Sequence, residues 1–373
     1  MAPSTARSGA AAAVAQQQRG SSSGGGNGGV LALAGLSVFV FSIYAGALLP
    51  VIAIARLLAY GLADATGWAL LAAVAALTLA PIEWCDVPAA RAAVGAICRA
   101  AVDYFPIKVI LEDEDAMKAA TPYVLGYEPH SALPVGIPSV FSTPSPALPK
   151  FLRGGRFHGL ASGVCFQVAL VRQLWWLLGL RPATREGIDD ILAGGGSVLL
   201  CPGGVQECLH MERDSELAFL RSRRGFVRAA LKRGAALVPV FAFGQGGSFS
   251  WLRPGPPLFP QAAVKWLSRH IGAVPLVIRG RWWTPMPHTT PIKIVIGRPI
   301  ETPPPPPRLP GERTSRRGGG GAEAPRSGPA TPPYEPPAEM VEEYLEKFIV
   351  AMQAMFEAHK AGTPCENMSL RVM

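Results

Sequence analysis

From Val30 to Ala55 the chain runs for 26 residues without a charged side chain. As a helix this run would be roughly 39 Å long, more than the ~30 Å hydrocarbon core of a bilayer. Pro50 lies inside it and is expected to kink the helix or to mark its end. Arg56 follows, and then a second apolar run, Leu57 to Ile82, broken only by Asp64. The pair predicts an N-terminal transmembrane helical hairpin over 30–82, with a re-entrant second segment as the alternative. A hairpin returns the chain to the face it started from. Nearly all basic residues lie outside the two runs, which puts the rest of the chain on the cytosolic side. A buried pair of core helices is the soluble reading, but some fifty nearly uncharged residues are hard to bury in a domain of this size.

Composition agrees with a membrane protein. Hydrophobic residues make up 49% and charged residues 16%, against about 25% charged in an average soluble domain. The net charge of +9 points to anionic partners: a phospholipid surface, a phosphorylated co-substrate or nucleic acid. No aromatic-basic RNA signature and no zinc-finger spacing occurs, so nucleic acid is not expected as a partner. The six cysteines form no C-x-x-C pair and are expected to be reduced thiols.

Composition also divides the chain. Residues 1–29, rich in Ala, Gln, Ser and Gly, predict a disordered tail. They are not a secretory signal, because the apolar run begins too late and is too long. Residues 83–120 mix basic and apolar positions and predict an interfacial linker. From 121 to 373 the pattern is α/β, with a Pro/Gly-rich disordered insert at 302–337. Strands are expected at Tyr123–Tyr127, Ser197–Cys201, Leu237–Phe241, Leu276–Ile278 and Ile292–Ile296. Val164 to Leu180 reads as an apolar helix, and Ile188–Leu192 as a short one. Asp214 is positioned to N-cap a helix reaching Lys232 or Arg233, with Gly234 just past its end. Another helix is expected over Gln261–Ile271. A last one begins near Ala338, with Val341, Leu345, Phe348, Met352 and Met355 on one face.

The chemistry is narrowed by what is missing. There is no G-x-S-x-G elbow, no H-E-x-x-H, no Walker lysine and no dinucleotide fingerprint, so no metal or cofactor is expected. What remains is His130 in Glu128-Pro-His-Ser131, at the end of the first strand of the α/β region. Glu207 lies on another post-strand loop, Pro202-Gly-Gly-Val-Gln-Glu207. Loops at the carboxyl ends of strands converge in open α/β sheets, which would bring Glu207 to His130. A carboxylate on one ring nitrogen would fix the tautomer and leave the other nitrogen to take a proton. Gly203 and Gly204 let backbone amides approach an anionic group; an ordinary tight turn is the plain alternative. Arg221, Arg223, Arg224, Arg228, Lys232 and Arg233 form either a grip on phosphates or a solvated surface. Together these parts suit acyl transfer from a coenzyme A thioester to a lipid hydroxyl.

Several ordered blocks carry a resemblance. Tyr104-Phe105-Pro106, Glu128-Pro129-His130-Ser131, Arg181-Pro-Ala-Thr-Arg185, Pro202-Gly203-Gly204-Val-Gln-Glu207, His210-Met-Glu212, Arg223-Arg224-Gly225-Phe-Val-Arg228, Val238-Pro-Val-Phe-Ala-Phe-Gly-Gln245 and Gly297-Arg-Pro-Ile300 resemble the type-2 diacylglycerol acyltransferases of plants and algae. The match covers roughly residues 30–302 and 338–373. It implies an α/β acyltransferase domain, distantly related to the glycerophospholipid acyltransferases, anchored by the hairpin. It implies acyl-CoA and diacylglycerol as substrates, triacylglycerol as product, and membrane lipids as surroundings. It also implies a multi-pass location in the endoplasmic reticulum, near lipid droplets. His130 would be the general base, with Glu207 the first and Glu128 the second choice of carboxylate partner. Pro129, Ser131, Pro202, Gly203, Gly204, Arg224, Gly225, Tyr104, Phe105 and Pro106 would line the substrate. The distant relatives carry an aspartate five positions after the histidine; Val135 stands there in this chain. Animal members have His and Gly where this chain has Glu128 and Ser131. Monoacylglycerol, a long-chain alcohol, water as acceptor in a hydrolase, and a non-catalytic lipid-droplet protein are the alternatives. Self-association is open, and Leu370-Arg-Val-Met373 has the form of a short retrieval signal.

Overall fold

The computed structural model describes residues 27–118, 121–253, 260, 262, 264, 266, 276–306 and 334–373, with side chains from residue 33. Most of the tail expected over 1–29, most of the helix expected over Gln261–Ile271 and most of the insert expected over 302–337 lie outside these residues.

Three helices come first: α1 (Asn27–Tyr60), α2 (Ala65–Leu79) and α3 (Pro88–Tyr104). α1 passes through Pro50 and Arg56 without ending. Its segment Leu33–Tyr60 is the one helix among the described residues long and apolar enough to cross a bilayer. α2 folds back on α1, so closely that a Cβ on Gly67 would lie 2.9 Å from Leu57. With 15 residues α2 is about 22 Å long, short of the ~30 Å a full crossing needs. The two charges that interrupt the apolar runs meet at the turn between them. Asp64 accepts from Arg56 at 2.9 and 3.0 Å and from the Gly67 amide at 3.1 Å, capping α2.

The remaining elements are β1 (Lys108–Leu111), β2 (Tyr123–Glu128), α4 (Gly136–Val140), β3 (Phe157–Ala161), α5 (Val171–Leu177), β4 (Arg181–Pro182), α6 (Arg185–Ala193), β5 (Ser197–Leu200), α7 (Val205–His210), β6 (Ser215–Ala218), α8 (Gly225–Arg233), β7 (Ala236–Phe243), β8 (Ser250–Leu252), β9 (Val277–Arg279), β10 (Lys293–Ile296), α9 (Ala338–His359) and β11 (Ser369–Val372). Seven strands form one sheet in the order β1-β10-β7-β2-β5-β3-β4. All neighbours are parallel except β10 and β7. β2 is buried along its whole length, as a parallel strand covered on both faces must be. Leu125 and Tyr127 point into one core with Phe105, Val135 and Phe141. Val124 points into the other with Phe226, Leu345 and Phe348.

Three expectations change. The 83–120 stretch is part of the domain and not a linker. α3 buries Val94, Cys98, Ala100 and Ala101, and β1 is the edge strand of the main sheet. Four strand residues beside an acidic run carried too little pattern to show this in the sequence. The helix expected from Asp214 begins only at Gly225, because Ser215–Ala218 instead pairs with β11 as a separate two-stranded ribbon. Partner strands far apart in sequence override local helix propensity. The apolar helix expected over Val164–Leu180 is a 3-10 turn at Gly163–Phe166 followed by the shorter α5.

α9 behaves as its periodicity predicts, with all five stripe residues buried. It seats Phe348 on Gly126 of β2, where a Cβ would lie 2.5 Å from the ring. A rigid aromatic ring in a packed core has little room to give. Gly126→Ala should therefore destabilise the domain by roughly 1–3 kcal/mol, read as a fall in Tm, and Phe348→Leu in the same chain should restore part of it.

Candidate active site

β5, β2 and β7 are adjacent and parallel, so their carboxyl ends deliver three loops to one place. β2 delivers Glu128-Pro-His-Ser131, with a cis bond before Pro129. The loop after β5 delivers Glu207 in the first turn of α7. The loop after β7 delivers Gln245, which is fully buried.

Glu207 and His130 do come together, but not as the sequence suggested. Glu207 Oε2 accepts from the His130 main-chain N–H at 2.7 Å, and its Oε1 accepts from the Phe219 N–H at 3.2 Å. Neither oxygen is on the imidazole. The ring is oriented by its neighbour: Nδ1 lies 3.0 Å from the Ser131 carbonyl. A carbonyl only accepts, so Nδ1 carries the hydrogen and Nε2 is the nitrogen left to take a proton. The Cys208 sulfur lies 3.5 Å from Nδ1 and donates to the same carbonyl at 3.3 Å. Burial pulls the imidazole pKa down, but Cys208, the Ser131 carbonyl and the Glu207 charge outweigh it and push the group up to about 9. The largest of these upward influences is charge on Cys208.

Glu128 is fully buried, and neither carboxyl oxygen has a hydrogen-bond partner. Burial first, and then the Glu207 carboxylate, push its carboxyl well above the usual range. It sits beside the histidine turn as a neutral acid. Ser131 has φ +55°, the left-handed region that favours glycine. Its hydroxyl is buried without a partner. A glycine at this position, as in the animal pattern, would relieve both conditions.

Gln245 was not singled out from the sequence beyond its place in a block. Its Oε1 accepts from the Tyr127 hydroxyl at 2.5 Å and from the Gly136 N–H at 3.0 Å, and its Nε2 donates to the Pro129 carbonyl at 2.7 Å. It thus clamps the turn that carries His130. A buried amide bonded through both its oxygen and its nitrogen has no sequence signature apart from its position after a strand.

A cavity of about 280 Å³ opens beside this turn, with Pro129, Ser131, Glu207, Glu216, Phe249 and Arg279 among its walls. Glu216, on β6, was also missed. It accepts from the Cys365 thiol at 3.4 Å, and burial pushes its carboxyl up to about 7.

Other expected site residues serve the scaffold. A Cβ on Gly203 would lie 1.9 Å from Glu207 Oε1, so the turn's close approach is to the protein's own carboxylate. Gly204 has φ +54° and, with Pro202, shapes that turn. Arg224 pairs with Glu342, and Gly225 starts α8. Arg223 is the arginine that reaches the turn, donating to the Gly203 carbonyl at 3.1 Å. The expected phosphate grip is otherwise spent on acidic residues. Arg228 and Lys232 pair with Glu335, Arg233 with Asp189 and Arg221 with Glu346, so the cluster fastens α8 to α6 and to the α9 segment. Tyr104 donates to the Pro287 carbonyl at 2.6 Å, and Phe105 is wholly buried. Pro106 follows α3 and leads into β1. Phe105 lines the apolar pocket beneath α1.

A family model described as diacylglycerol acyltransferase matches residues 89–305, more than half of the chain. The chain belongs to the diacylglycerol acyltransferase family. Human diacylglycerol O-acyltransferase 2 is 29% identical over 210 residues, 54% of this chain and 54% of that protein. Human 2-acylglycerol O-acyltransferase 3 is 31% identical over 217 residues, 56% of this chain and 63% of that one. The matched region thus spans little more than half the length of these relatives. The crystal structure of the 1-acyl-sn-glycerophosphate acyltransferase of Thermotoga maritima aligns over 85% of this chain and 97% of its own, at 14% identity and a TM-score of 0.35.

Two outcomes are expected at this site. Because Glu128 is held neutral in the fold, stability should fall as pH rises above about 4.5, the ordinary value at which the unfolded carboxyl ionises. Glu128→Gln should remove that loss: its Tm should exceed the wild type's at alkaline pH and converge with it at acidic pH. Cys208→Ala should move the His130 titration below about 9, read as faster diethylpyrocarbonate modification of the imidazole at neutral pH.

Proposed function

We propose that the chain is a membrane-bound O-acyltransferase that moves a fatty acyl group from acyl-CoA to the free hydroxyl of diacylglycerol, giving triacylglycerol. The observation that carries the reading is the fixed tautomer of His130 at the mouth of the β5–β2–β7 loops. In this mechanism the neutral imidazole, the minor form at neutral pH for a group pushed up to about 9, takes at Nε2 the proton of the acceptor hydroxyl as its oxygen attacks the thioester carbon. The tetrahedral adduct then collapses, the ester forms, the C–S bond breaks, and the coenzyme A thiolate leaves and is protonated by the imidazolium. No covalent enzyme intermediate is needed. Glu207 acts by holding the main chain of the base in place, and Gln245 by clamping the preceding peptide.

Access for an apolar chain supports the same reading. Phe249 is shared by the walls of the cavity beside Ser131 and of a smaller pocket of about 40 Å³ beneath α1. That pocket is lined by Leu36 and Val40 of α1, Ile97 of α3 and Phe105 just after α3. A substrate tail arriving from the bilayer would meet Phe249 before it met His130. α1 provides the membrane crossing, α2 lies against it, and the α/β domain lies on the cytosolic side of the endoplasmic-reticulum membrane. The likeness to a 2-acylglycerol acyltransferase favours monoacylglycerol as the second acceptor to test.

His130→Ala should lower acyl transfer by about 10²–10⁴-fold, the usual contribution of a positioned base, while the protein stays membrane-bound. Purified enzyme assayed with acyl-CoA and each of diacylglycerol, monoacylglycerol and a long-chain alcohol separates the acceptors. Unchanged triacylglycerol synthesis by the variant would remove this mechanism. Consumption of acyl-CoA without a lipid product would make the chain a hydrolase.

A further inference from the structure

A second apolar feature is built by a tight turn. β8 and β9 pair antiparallel, with Leu252 opposite Val277, and both side chains are exposed, 66% and 58%. The turn that follows β9 presents Trp282 and Trp283, exposed at 69% and 82%. Both tryptophans have positive φ, 53° and 63°, a conformation that bulky side chains rarely adopt. The turn is held in that shape from inside. Gly280 N–H donates to the Thr284 carbonyl at 2.6 Å, Arg281 N–H to the Met286 carbonyl at 2.7 Å, and Thr284 N–H to the Arg281 carbonyl at 3.0 Å. A Cβ on Gly280 would lie 1.6 Å from the Met286 oxygen, so only glycine closes the turn this tightly. Two large aromatic side chains are thus held outward in a strained backbone, and strain of this kind collects at functional surfaces.

The chemistry of the patch is specific. Arg279 stacks on Trp283 at 3.9 Å, Arg281 on Trp282 at 4.4 Å, and Arg253 lies over Trp251 at 5.8 Å. From residue 276 to 300 the sequence has no carboxylate. Tryptophan is the residue of the bilayer interface, with an apolar ring and a polar N–H. Stacked arginine adds positive charge at the level of anionic headgroups. The patch is also joined to α1. Pro287, four residues beyond Trp283, lines the apolar pocket under α1 together with Gly35, Leu36 and Val40. Its carbonyl is tied to Tyr104 at the end of α3, and the neighbouring His288 N–H donates to the Ser248 carbonyl at 2.7 Å.

We propose that the β8–β9 ribbon and the Trp282-Trp283 turn are a second membrane contact, seated in the headgroup layer of a bilayer containing anionic lipid, beside α1. Arg279 is also in the wall of the cavity next to Ser131. The contact would therefore hold the mouth of the cavity against the surface from which a lipid arrives. This rests on α1 lying in the bilayer but not on the identity of the acceptor.

The test uses the full chain in nanodiscs, as wild type and as W282N/W283N. Asparagine tolerates the left-handed conformation, so the turn is kept. Resistance to alkaline carbonate extraction of the expressed protein reports α1 insertion separately. The emission difference between wild type and variant isolates the two tryptophans. It should be quenched by more than half in discs of brominated phosphatidylcholine and little by acrylamide. Adding phosphatidylserine should deepen the lipid quenching, and salt should reverse that gain. Emission quenched by acrylamide and not by brominated lipid would put the turn in water and overturn the proposal. Emission shielded from both, in a wild type that runs as a dimer the variant cannot form, would show a second copy covering the turn and would overturn it equally.

Discussion

The site hangs on a single buried carboxylate. Glu207 spends both oxygens on main-chain N–H groups, one of His130 and one of Phe219. It thereby ties the loop after β2 to the loop after β6. A charge-assisted bond to a backbone donor is stronger than a neutral one. It also places the donor without touching its side chain. The histidine is then free to be oriented by the next carbonyl in its own chain, Ser131. Gly203 follows from the same constraint, because any side chain there would displace the carboxylate.

This arrangement reaches further than the turn itself. The 218–221 segment that carries the Phe219 donor is clasped by the last described residues. Met373 N–H donates to the Ala218 carbonyl at 3.0 Å, and its carbonyl accepts from Leu220 and Arg221, each at 2.8 Å. Leu370-Arg-Val-Met373, with the form of a retrieval signal, is in the fold largely a strand beside β6. The arginines expected to grip phosphates are likewise paired within the protein. Arg224, Arg228 and Lys232 fasten α8 to Glu342 and Glu335, and exposed pairs of this kind are each worth about 0–1 kcal/mol. Their value is in alignment: α9 must sit so that Phe348 finds the space over Gly126.

The apolar surfaces and the histidine turn meet at few residues. Phe249 separates the pocket under α1 from the cavity beside Ser131. Arg279 belongs to that cavity and to the aromatic ribbon. The apolar helix is thus packed into the domain. Leu36 belongs to the domain's own core, and the N-terminal part of the helix forms one wall of the pocket that leads inward.

Some of this was legible in the sequence for simple reasons. A charge-free run of 26 residues predicts a spanning helix by length alone, and α1 is long and apolar enough to be one. The stripe of α9 and the strands at Tyr123, Ser197, Ala236 and Lys293 follow from periodicity and flanking turns. That Glu207 would approach His130 followed from both lying after strands. Which atoms would meet did not. Neighbouring parallel strands bring loops together, but the partner of a carboxylate depends on ångström-scale placement, and here the main chain of His130 was nearer than its ring. The tertiary structure alone decided the roles of Cys208, Gln245 and Glu216, the internal pairing of the arginines, and the strand at Ser215. Each depends on a contact between residues far apart in the chain, and such contacts leave no periodic mark on the sequence.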